Sequence, residues 1–257
     1  MPANLTLSAE TLLGFLLVLV RVSGALAFVP LPGMNAGPQP ARAALAVGFS
    51  LALAARWPAV DSTAITPGIF VSWMLAEGAI GIAIGVSVAI VLEAFTLAAQ
   101  VLGLQAGYAY ASTVDPNTQA DSGILLVFAQ LTAGLLFFAL GLDREVLRLF
   151  ARSLDRIPAG TYAFGPLSAE PLIRLSSELF SVGVRLALPV VALLVMVDVA
   201  LALMGRLNAQ LQLLSLAFPA KMLTALAVLS VVAAVFPRVL MQFAGHAWTA
   251  VYRMLGS

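Results

Sequence analysis

Six ionisable side chains, Arg21, Glu77, Glu93, Arg185, Asp198 and Lys221, stand inside long apolar stretches of this chain. An unpaired charge at the centre of a bilayer costs on the order of 3 kcal/mol, so such residues survive where they are paired or put to use. Three of the six are cationic and three anionic. That balance points to pairing between helices or with partner subunits, which lowers the cost of removing each charge from water. A second chemistry fits the same residues. Glu77, Glu93 and Asp198 would be the ion-handling groups of a small-solute or proton-coupled transporter, with Arg185 as counter-charge. No inverted repeat of the usual transporter kind is visible, which weighs against it.

Hydrolytic and zinc chemistry have almost no support. The sole histidine, His246, lies in the tail, with no HExxH, no GxSxG and no serine–histidine–aspartate set around it. An interfacial tail residue is the preferred account of it. Cysteine is absent, which removes disulfides, thiolate metal sites and a cysteine nucleophile. Walker-type and GxGxxG loops are absent too. We therefore expect no enzyme, no cofactor and no metal.

The elements that must position these charges are helices in a membrane. Of 257 residues, 61% are hydrophobic and only 10% charged, against roughly half and a quarter in a soluble domain. A mean hydropathy of +1.03 says the same. Disorder is excluded by the same numbers, and a net charge of +1 gives no reason to expect nucleic-acid binding. The apolar runs, cut at their breakers, cover about 8–29, 41–56, 67–102, 123–142, 178–205 and 213–236. All but the second come near or above the ~20 residues that a bilayer requires. They are continuous and rich in Leu and Ala, unlike the alternating strands of a membrane barrel. The expected fold is an all-α membrane protein of about six long hydrophobic helices in hairpins, one integral-membrane domain over 1–257. The first run lacks a basic leader and carries Glu10 and Arg21, so it reads as a retained helix rather than a signal peptide.

Breakers mark the ends. Pro30-Leu31-Pro32-Gly33 closes the first run, Trp57-Pro58 the second and Gly141 the fourth, while Thr66-Pro67 opens the third. As one helix the third run, of about 36 residues, would measure roughly 54 Å against a hydrocarbon core of ~30 Å. It must tilt, break, or leave the membrane inside a protein shell. If the runs alternate, Arg56, Arg144, Arg148, Arg152, Arg156, Arg174, Arg238 and Arg253 share one side, and Arg42 and Arg206 the other. The positive-inside tendency then makes both termini and the polar segment 143–177 cytoplasmic. Within that segment Arg144, Arg148, Arg152 and Arg156 form a basic stripe at four-residue spacing. Anionic head groups, acidic groups on a partner, or plain solvent would relieve its repulsion.

Two further patterns concern small residues. Gly81-x-x-x-Gly85, with Gly78 before it, fits close helix packing, and ordinary packing is favoured over a dedicated oligomerisation site. The segment 103–122 is polar, small and free of Lys, Arg and Glu. It contains Gly103, Leu104, Gln105, Gly107, Tyr108, Tyr110, Ser112 and Thr113, and Asp115-Pro116 is a turn signal. It is either an ordinary extracytoplasmic loop or irregular backbone enclosed by protein at membrane depth.

These residues carry a resemblance. Gly103-Leu104-Gln105-x-Gly107 leading to Ala111 and Val114-Asp115-Pro116, in a chain of this length, is similar to the FliR family, the flagellar members of the type III export-gate proteins. Arg21 in the first helix, the proline-rich link after it, Gly81-x-x-x-Gly85 and Ile157-Pro158-x-Gly160 support the resemblance. From 183 to 255 the chain also resembles the two-helix export protein FliQ, notably at Leu216-Ala217-Phe218-Pro219-x-Lys221. The resemblance implies a subunit that assembles with FliP and FliQ, beside FlhB, into a helical gate of the flagellar basal body in the inner membrane. Unfolded flagellar proteins would pass through it. It further implies that segment 103–122 is a plug within the closed channel, and that much of the apolar surface is buried against partners.

Overall fold

The computed structural model describes residues 8–29, 39–58, 66–107, 124–161, 169–207 and 213–255. Among them every regular element is helical: α1 (Ala9–Phe28), α2 (Gln39–Ala52), a 3-10 turn (Ala54–Arg56), α3 (Pro67–Ala106), α4 (Ile124–Ala139), α5 (Leu142–Arg156), α6 (Glu170–Leu207), α7 (Leu213–Val232), a second 3-10 turn (Ala233–Val235) and α8 (Phe236–Met254).

Among the described residues four helices are long and apolar enough to cross a membrane, Ala9–Phe28, Pro67–Ala106, Glu170–Arg206 and Pro219–Met254, or up to five if the bent pair around Gly141 counts as one span. This corrects the expected six. The second run yields only the 14 residues of α2, and the fourth only the 16 residues of α4, roughly 21 and 24 Å at helical rise. The last run does not stop at Phe236. Pro237 sits in the first turn of α8, where a missing N–H costs nothing, so the chain passes through one 3-10 turn and stays helical to Met254. The third run does not break either, and α3 is one helix of 40 residues.

The described chain divides into two compact units. The first combines residues 1–90, 141–175 and 244–257, the second 91–140 and 176–243. In the first, Ser8 caps α1, its hydroxyl accepting the Thr11 N–H at 3.3 Å. Helix α1 then lies against α3 almost backbone to backbone. A Cβ at Gly81 would strike the Arg21 carbonyl, and one at Gly85 the Ala25 carbonyl. Leu17, Val18, Val22, Ile80 and Ile84 fill the core beside this seam. Gly141, at φ 71°, opens α5, whose buried face is Leu142, Val146, Leu149, Phe150, Ser153 and Leu154. In the second unit the core includes Phe95, Leu102, Leu186, Leu194 and Phe243, with Phe95 edge-on to Phe236 at 5.5 Å between ring centres.

Candidate functional site

The first unit is built around a buried ion pair. Arg21 on α1 and Glu77 on α3 are both fully buried, and Arg21 Nε donates to Glu77 Oε2 at 2.5 Å. The rest of the guanidinium is spent on the end of α5. Its Nη1 donates to Ser153 Oγ at 3.2 Å and its Nη2 to the Ile157 carbonyl at 2.9 Å. A cation there is favoured by the partial negative charge of a helix C-terminus, and it satisfies carbonyl groups left without intrahelical donors. Pro158 prevents the helix from continuing. The following turn swings Gly160 to φ 82°, a left-handed conformation suited to glycine. Its N–H then donates to Glu77 Oε1 at 3.0 Å. Both carboxylate oxygens are thus engaged, and among the described residues every buried side-chain nitrogen and oxygen has a hydrogen-bond partner.

The second unit holds a smaller polar knot. Lys221 on α7 donates to both oxygens of Asp198 on α6, at 2.9 and 3.0 Å. Gln105, in the last turn of α3, donates to Asp198 Oδ2 at 3.2 Å. The lysine side chain is 16% exposed and the aspartate 43%, so this pair is open on its acidic side.

The other two candidate charges are not brought into ion pairs among the described residues. Glu93 is exposed on α3 and hydrogen-bonded by the Thr96 hydroxyl. Arg185 is exposed on α6 with no ion pair among the described residues. Of the 103–122 segment, residues 103–107 are described, with Leu104 72% exposed. Tyr108, Tyr110, Asp115 and Pro116 lie outside the described residues. The basic stripe occupies the outer face of α5, where Arg144, Arg148, Arg152 and Arg156 are all exposed. Arg148 pairs with Glu145, and Arg56 reaches Asp155 at 2.8 Å.

Sequence reasoning missed Ser153, the Ile157 carbonyl and the Gly160 N–H as partners of the ion pair. Ser153 was masked by the arginines around it, although it lies on the apolar side of the α5 wheel. The Pro158-x-Gly160 turn was visible, but nothing local ties it to residues more than 80 positions earlier. Among the described residues no group of three or more histidine, cysteine, aspartate or glutamate side chains could hold a metal.

Four, or up to five, helices long and apolar enough to cross a membrane define the class among the described residues, that of helical integral-membrane proteins. Residues 12–247 match the family described as bacterial export proteins, family 1. Relatives named flagellar biosynthetic protein FliR are similar along most of the chain. The Escherichia coli (strain K12) protein is 27% identical over 238 residues, covering 92% of this chain and 89% of its own. Those of Aquifex aeolicus (strain VF5) and Bacillus subtilis (strain 168) are 24% and 26% identical, each over 215 residues, covering 82% and 80% of this chain and 82% and 81% of their own. The chain belongs to the FliR family of flagellar type III export-gate proteins.

Proposed function

We propose that this chain is a core subunit of the flagellar protein export gate in the inner membrane. With FliP and FliQ, and beside FlhB, it forms the channel through which unfolded flagellar proteins cross. Segment 103–122 closes that channel from within. The observation that carries this reading is the family match over residues 12–247. The stretch 103–114, which carries no Asp, Glu, Lys or Arg, agrees with it, because a plug without fixed charge there yields to polypeptides of any composition without trapping them electrostatically. The tether from Gln105 to Asp198 gives the segment an anchored stem. The part from 183 to 255 serves as a FliQ-like hairpin against neighbouring subunits.

Deleting Ala106 to Ser112 tests the closing role. Ion or small-solute leak through the inner membrane should rise while export persists, and an unchanged leak refutes the plug. The transporter alternative loses one of its three candidate groups, since Glu77 has both oxygens engaged by Arg21 and the Gly160 N–H.

A further inference from the structure

Arg152 and Arg156 stand one turn apart on the exposed face of α5, and both reach the same aromatic ring. Their guanidinium carbons lie 5.8 and 5.6 Å from the centre of the Tyr252 ring on α8. Arg152 Nη1 also donates to the Tyr252 hydroxyl at 3.0 Å. Two of the three acidic side chains of α5 are taken elsewhere, Asp155 by Arg56 and Glu145 by Arg148. The third, Asp143, starts the helix, roughly 13 Å along the axis from Arg152. Neither Arg152 nor Arg156 forms an ion pair with a carboxylate among the described residues, Glu145 acting on Arg152 only at longer range. Like charges at this spacing repel, and a shared ring prevents them from moving apart.

We propose that Arg152, Arg156 and Tyr252 form a binding site for the phosphate of an anionic phospholipid head group. Two guanidinium forks offer paired, charge-assisted N–H donors to a tetrahedral anion, and the ring holds them in place before it arrives. The surroundings select a lipid as the source of that phosphate. Helix α5 turns an apolar face inward and a basic face outward, the build of a helix lying in the head-group layer. Tyrosine is enriched at that depth, and the long apolar helices put this chain in a bilayer.

The test uses the full chain extracted in mild detergent with the subunits that co-purify, and native mass spectrometry to count bound phosphatidylglycerol or phosphatidylcholine. Wild type should retain phosphatidylglycerol in preference. Arg152→Gln with Arg156→Gln should cut that retention about tenfold or more, the factor set by losing hydrogen bonds to a charged acceptor. Arg144→Gln with Arg148→Gln removes the same charge from the same helix and should leave retention unchanged. Arg152→Lys with Arg156→Lys keeps the charge and loses the forks, so its retention should fall between. That pair also serves if the glutamine variant fails to assemble. Equal losses in both glutamine pairs, or no preference over phosphatidylcholine, overturn the site. Displacement of the lipid by inorganic phosphate overturns its assignment to a head group. Absence of bound phosphatidylglycerol from the co-purified complex overturns the proposal as well.

Discussion

Removing either half of the Arg21–Glu77 pair leaves the other half buried with no opposite charge. That loss costs about 3–5 kcal/mol for a buried pair, a large share of what holds a domain together. Arg21→Ala and Glu77→Ala should therefore each lower the amount of the chain in membranes and abolish swimming. Replacing both together with methionine removes the stranded charge, so the double variant should accumulate better than either single one, as read by membrane immunoblots after synthesis is stopped. A double variant as depleted as Arg21→Ala would show that the hydrogen bonds to Ser153 and Ile157, rather than the charge pair, are decisive. All the residue types were legible in the sequence, since arginine and glutamate in apolar runs announce themselves. The pairing was not, because 56 positions separate Arg21 from Glu77 and composition gives no register between helices. Nor did the sequence separate these two from Glu93 and Arg185, which stand in equally apolar runs yet face outward.

At the scale of elements, the α1–α3 seam is the most sensitive contact of the first unit. Gly78 and Gly81 lie one turn apart on α3 and look alike in sequence. A Cβ at Gly78 would meet only the Val20 side chain, at 3.6 Å, whereas one at Gly81 runs into the backbone of α1. Gly78→Ala should be neutral or slightly stabilising, because alanine is the better helix former by about 1 kcal/mol. Gly81→Ala should force the helices apart and strain the Arg21–Glu77 contact four residues away. Thermal aggregation of the purified complex checks both, and equal behaviour of the two variants would contradict the seam. Across the second unit, Lys221→Met should release the Asp198 carboxylate that holds Gln105, and the leak assay should register it if the stem matters. Helix starts such as Pro67 and stops such as Pro58 were plain from the sequence, since proline and its neighbours act locally. The continuation through Phe236-Pro237 was not, because the same proline reads as a stop or as a first turn depending on what packs around it.

For the whole molecule, what counts is how little of the later apolar surface the chain covers by itself. The most apolar part of Glu170–Arg206 is 22% buried and that of Pro219–Met254 only 11%, against 61% for Pro67–Ala106. Met196, Leu223 and Val231 are each more than two-thirds exposed. Lipid or partner helices must cover them. Expressed without other gate components, the chain should be degraded or aggregate on gentle extraction, and with them it should appear as one heteromer by native mass measurement. A monodisperse, solute-transporting chain on its own would contradict the proposed function.

The contacts of Arg21 also set an order of events during synthesis. Its last acceptor, the Ile157 carbonyl, lies 136 residues downstream, which a ribosome needs on the order of ten seconds to add. For that interval the first helix holds a cation whose full set of acceptors has yet to be made. A nascent chain halted before Ile157 should therefore be degraded faster than one halted after it, as read by pulse-chase.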